Sequence, residues 1–176
     1  LTADLIVVGT IQGEAAGSYS FKIEETIHGI PDNKVISVKK WKEWTCDYRA
    51  FEITPGKRLL LILDHNGGHY SPINASTGEV PIQNDTLELY YENAVVTENK
   101  VRGYRVHLNE FREAAKAMRQ CATMTGEHVN EFGYFPGSAK WLCDEPTIAS
   151  YLKREDFTGY LFRKAEKYRV GPVGTK

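Results

Sequence analysis

The stretch KKWKEWTCDYRAF, Lys39 to Phe51, puts three lysines, two tryptophans, a tyrosine, an arginine and a cysteine within thirteen residues. Two chemistries are open to it. Trp41, Trp44 and Tyr48 can stack on the bases of a single strand at about 1–3 kcal/mol per base, with Lys39, Lys40, Lys42 and Arg49 on phosphates. Cys46 can serve as a thiolate, because the neighbouring cations Lys42 and Arg49 lower a thiol's pKa. Two blander readings stand beside these. The stretch can be an amphipathic strand end whose tryptophans cover the mouth of a β-barrel, or a contact surface for a protein or a glycan.

Charge argues against nucleic acid. Twenty-two Lys and Arg face 23 Asp and Glu, for a formal charge of −1, whereas phosphate neutralisation calls for a basic excess. Glu43 and Asp47 interrupt the stretch itself. No histidine lies near Cys46 to act as its base. The expectation is therefore a structural strand end, with Trp41, Trp44 and Tyr48 retained as the binding candidates.

A second cluster is Asp64, His65 and His69 around Asn66-Gly67-Gly68. A tight turn can bring its two ends together, and two histidines beside a carboxylate would suit a metal-dependent hydrolase. A further strong protein ligand is missing from reach, so no metal or other cofactor is expected. His28, His107 and His128 are scattered, and no G-x-S-x-G, HExxH or P-loop pattern occurs. Glu110, Glu113, Glu155 and Asp156 fall near expected helix starts, where the helix dipole favours acids. Nothing in these patterns supports an enzyme positively. Cys121 and Cys143 bracket a loop containing Gly and Pro. They are either a disulfide, worth about 3 kcal/mol for a loop of this size, or two reduced core thiols.

The elements that would position these residues divide into a β module and a helical extension. At 176 residues the chain holds one main core with room for an appendage. ADLIVVGTIQ is a β-branched run, and SYSFKIEETI alternates Tyr19, Phe21 and Ile23 against Ser20, Lys22 and Glu24, the period of a half-buried strand. HGIPDN reads as a turn, KVISVKKW as a third strand, and RLLLIL as a strand buried on both faces. Asn66-Gly67-Gly68 closes a hairpin. HYSPI, GEVPIQ and TLELYYENAVV add strands, and six or seven of them by Val96 favour a closed or nearly closed barrel.

Residues 1–106 form this barrel. From 107 to 176 a helical extension is expected to pack on it. Asn109 caps a helix striped by Phe111, Ala114, Ala115, Met118 and Ala122; Asp144 caps EPTIASYLK; a last helix runs from about Glu155 to Tyr168. Residues 123–140 read as an irregular segment pinned by Phe132, Tyr134, Phe135 and Trp141. No run approaches the roughly 18 apolar residues that span a bilayer.

The order ADLIVVGTIQG, SYSFKIEETIHGI, VISVKKW, TCDYRAFEITPGKRLLLIL resembles the netrin/TIMP-like OB-fold group, and its bacterial secreted members above all. Over about residues 3–118 it shows a second strand ending in a hydrophobic-Gly turn, a cysteine followed by an aromatic, and a Gly-plus-basic turn into an apolar strand. HLNEFREAAKAM adds the short helix with an L-x-x-F step. The resemblance implies a mainly β fold, an OB-like, partly open barrel with C-terminal helices. It also implies an exported protein, periplasmic, cell-surface or secreted, whose leader is absent from this chain. TIMP-type inhibitors act through an N-terminal cysteine, and the chain begins Leu1-Thr2-Ala3-Asp4, so metalloprotease inhibition is not carried over. In that group the cysteine at the position of Cys46 pairs near the N-terminus, which implies a lost or absent partner here. The expected function is a non-enzymatic binding or interaction module for an unidentified protein or glycan.

Overall fold

The computed structural model describes residues 3–43, 49, 51–73, 75–89, 95–97, 100–102, 104–125 and 138–169. The chain divides into two compact units, Ala3–Leu108 and the residues from Asn109 onward.

The first unit is built on a closed five-stranded barrel. Its strands are β1 (Leu5–Ala15), β2 (Ser18–His28), β3 (Val35–Lys39), β4 (Arg58–Asn66) and β5 (His69–Pro72). They hydrogen-bond in the order β1-β2-β3-β5-β4, and β4 returns to β1 to close the ring. All pairings are antiparallel except β3 with β5, where Val38 faces Tyr70 in parallel. This is an OB-like arrangement, and closure is what removes exposed strand edges.

Alternation explains the filling. Leu5, Val7, Ile11, Tyr19, Phe21, Ile36, Val38, Leu59, Leu61 and Leu63 form the interior cluster, with Phe51 and Ile53 packed against it. In β4 Leu60 is buried as deeply as Leu59 and Leu61, in keeping with the unbroken apolar run. The strand is central, pairing with β1, with β5 and with β6 (Glu79–Gln83). From β6 the sheet extends outside the ring through β7 (Thr86–Leu89), while a two-stranded ribbon, β8 (Val95–Thr97) and β9 (Lys100–Arg102), precedes the edge strand β10 (Tyr104–His107). Within TLELYYENAVV the described residues contribute β7 and β8, and residues 90–94 lie outside the described residues.

Two glycine sites shape the ring. Gly67 and Gly68 have φ of 60° and 83°, the pair of positive angles that a two-residue hairpin turn requires. At Gly9 the β1–β2 register shifts, and a Cβ there would lie 2.1 Å from the Lys22 carbonyl oxygen. Only glycine permits that approach, which lets β1 bend between two partners.

The second unit holds α1 (Leu108–Cys121), α2 (Glu145–Leu152) and α3 (Phe157–Glu166). Helix α1 begins directly after β10, so Asn109 lies in its first turn rather than capping it. Asp144 does cap α2, accepting from the Thr147 amide at 2.9 Å. The cap of α3 is Asp156, one residue beyond the expected start at Glu155. The segment 123–140, expected to be irregular, contains most of the antiparallel pair β11 (Ala122–Thr125) and β12 (Ser138–Trp141), and Ala122, expected on the helix stripe, opens β11. Phe132, Tyr134 and Phe135 lie outside the described residues. A disulfide joins Cys121 to Cys143 with their Cα atoms 4.6 Å apart, tying the end of α1 to the segment leading into α2. Around it pack Ala117, Met118, Phe162, Ala165, Trp141 and Tyr151, with Phe162 stacked on both Trp141 and Tyr151.

Candidate functional site

The site grows from one buried carboxylate. Glu79 opens β6 with its side chain wholly out of reach of solvent, at a position where a bare charge would be costly. Three donors satisfy it. Tyr19 of β2 donates its phenol to Oε1 at 2.8 Å, Trp41 donates its indole N–H to Oε2 at 3.0 Å, and Arg49 donates Nε to Oε2 at 2.6 Å. Trp41 and Arg49 belong to the connection between β3 and β4, so Glu79 ties the start and the middle of that connection to the barrel.

Arg49 is the hub. Its side chain is only 7 % exposed, its Nη1 donates to Glu43 at 2.8 Å, and its guanidinium lies 4.8 Å from the Trp41 ring centroid and 6.0 Å from that of Phe51. Burial first, and the negative charge of Glu79 second, push the Tyr19 phenol above its ordinary pKa. The phenol therefore stays a donor to Glu79 through the whole neutral range. Both oxygens of Glu79 are met by donors, which fits a structural strut, while Arg49 Nη2 is buried without a hydrogen-bond partner among the described residues.

Beside the strut lies an open cleft of about 930 Å³ lined by Trp41, Arg49, Phe51, Ile53, Thr54 and the charged rim residues Glu14, Lys40, Glu43 and Glu52. Lys40 pairs with Glu14 across the rim. Lys57 adds a second cation over Phe51, its Nζ 5.8 Å from the ring centroid.

Of the residues singled out in the sequence, Trp41 lines this cleft, half-buried, with one ring face occupied by Arg49. Trp44, Tyr48 and Cys46 lie outside the described residues. Arg49, considered for phosphate contact, is instead turned inward onto Glu79 and Glu43. His65 faces Tyr70 across the β4–β5 hairpin while His69 faces Asn66. Adjacent positions of a strand project to opposite faces, so the two histidines diverge. His65 stacks on Tyr70 with ring centroids 4.5 Å apart and sits 3.5 Å from Asp32. Among the described residues no three His, Cys, Asp or Glu side chains are grouped to hold a metal.

Glu79 itself went unremarked in the sequence. It is 60 positions from Tyr19 and 30 from Arg49, and its only local signal is a carboxylate within the otherwise apolar strand GEVPIQ. No protein-family model, curated protein or solved structure matches this chain.

Proposed function

We propose that this chain is an exported, non-enzymatic binding module of the netrin/TIMP-like OB kind, and that its contact surface is the cleft walled by Trp41, Phe51 and Ile53. The observation that carries the reading is the state of the ionisable groups there. Tyr19, Trp41 and Arg49 all donate to Glu79, which holds Trp41 and Arg49 in a shallow wall with aromatic and charged edges. Three apolar side chains, Trp41, Phe51 and Ile53, stand among five charged ones and Thr54, a mixed lining of the kind found at the polar rim of protein interfaces. The barrel order β1-β2-β3-β5-β4 supports the family assignment, and the Cys121–Cys143 disulfide suits an oxidising compartment. Among the described residues no helix is long and apolar enough to cross a membrane.

The test is a paired screen on a glycan array and a random-heptapeptide array. Wild-type protein and Thr54→Trp, which fills the cleft from an exposed position, are probed side by side. Components bound by wild type and lost in Thr54→Trp are expected. Components retained equally by both variants would place binding elsewhere.

A further inference from the structure

The cleft's charge selects its occupant. Its lining carries the carboxylates Glu14, Glu43 and Glu52 against the cations Lys40 and Arg49, and Arg49 is already committed to the buried Glu79 behind the wall. Counting the buried Glu79 and also Lys57, whose Nζ lies 5.8 Å from the Phe51 ring centroid, four carboxylates face three cations, a net charge of −1. Both cations of the lining itself are paired, Lys40 with Glu14 and Arg49 with Glu43 and Glu79. Glu52, exposed on the rim, has no ion-pair or hydrogen-bond partner among the described residues. An incoming cation meets that unpaired carboxylate.

The aromatic wall agrees with that sign. Phe51 already has two cations near its ring, Arg49 at 6.0 Å and Lys57 at 5.8 Å, and Trp41 has Arg49 at 4.8 Å, the distances at which a ring quadrupole attracts positive charge. A basic peptide supplies the cation on a long side chain whose alkyl stem lies along the aromatic wall.

Resting on the binding-module reading above, we infer that the cleft docks a basic peptide segment of a partner protein, with an Arg or Lys side chain on Glu52. The experiment is fluorescence anisotropy with three labelled heptapeptide pools of equal length, rich in Arg and Lys, in Asp and Glu, or in Ser and Gln. Wild type, Glu52→Gln and Glu52→Lys are each titrated. The basic pool is expected to bind wild type at least about tenfold more tightly than the others, to weaken about tenfold in Glu52→Gln and further in Glu52→Lys, and to weaken with added salt.

Acidic or neutral pools binding as well as the basic pool would overturn the inference and leave the binding module intact, provided that their binding is lost in Thr54→Trp. Basic binding unchanged in Glu52→Lys would overturn it too. If no pool binds at about 1 mM, an affinity of about −4 kcal/mol, the peptide inference is likewise overturned, and the glycan array alone then decides the fate of the binding module. Circular dichroism of each variant guards against misfolding, which is not expected at an exposed, unpartnered side chain.

Discussion

Arg49 Nε stands 2.6 Å from Glu79 Oε2, with the Arg49 side chain 7 % exposed and that of Glu79 fully enclosed. A guanidinium from a loop and a carboxylate from a strand thus neutralise each other inside the protein, and the loop between β3 and β4 takes its position from that pair. Removing one partner of such a pair leaves a buried charge unmatched. Arg49→Ala and Glu79→Ala should each lower unfolding free energy by about 3–5 kcal/mol in urea titrations. The double variant should lose less than the sum of the two by at least about 1 kcal/mol, since the partners share one interaction. Additive losses would show that the pair does not act as a unit.

The Tyr19 phenol gives the network a pH signature. Its pKa is raised in the folded protein, by burial first and by Glu79 second, while the unfolded phenol ionises near pH 10. A raised folded value means that the contribution is complete below about pH 10 and is lost as pH climbs above it, because the unfolded chain releases the proton first. Wild type should therefore lose about 1.4 kcal/mol more per pH unit than Tyr19→Phe above that point. Parallel stability curves for the two proteins at pH 10–11 would contradict this.

The disulfide ties together the unit that begins at Asn109. Cys121 and Cys143 are 22 positions apart, and opening a loop of that size frees about 3 kcal/mol of unfolded-state entropy. Cys121→Ser with Cys143→Ser should destabilise the helical unit by about that amount, read from the near-ultraviolet signal of Trp141 and its stacked partner Phe162. Barrel signals, such as amide exchange in β4, should change little.

Part of the architecture was legible in the chain. A β-branched run located β1, alternation located β2, the unbroken apolar run located β4, and Asn66-Gly67-Gly68 located its hairpin, because these signals are local. The cap at Asp144 is legible for the same reason. Asn109 misleads because the chain passes from strand to helix without a turn: Leu108, whose amide donates to the Asp85 carbonyl at 2.8 Å, already opens the helix, two residues before Glu110. The candidate site was half legible. Trp41 stood out by composition, but Glu79 joins residues from β2 and the β3–β4 connection that only barrel closure brings together, and no short window of sequence carries that.

Glu110 is a further case of a role hidden from local reading. As an acid in the first turn of α1 it suits that helix's dipole, yet its Oε1 accepts the Phe157 amide at 2.7 Å at the start of α3. Glu110→Ala should cost about 1 kcal/mol of stability, in the range of a lost helix cap. Faster amide exchange at Phe157 is expected, with the exchange within α1 unaltered. Equal acceleration along α1 would assign the effect to the α1 dipole instead.

Binding in the cleft beside the Glu79 strut is read by mapping backbone amide shifts in isotopically labelled protein titrated with the array component that binds most tightly. The largest shifts are expected at Glu14, Lys40, Phe51, Glu52 and Ile53, reduced in Thr54→Trp. Shifts centred on the His65–His69 hairpin or on residues 138–169, or arrays from which wild type binds nothing, would contradict binding in the cleft.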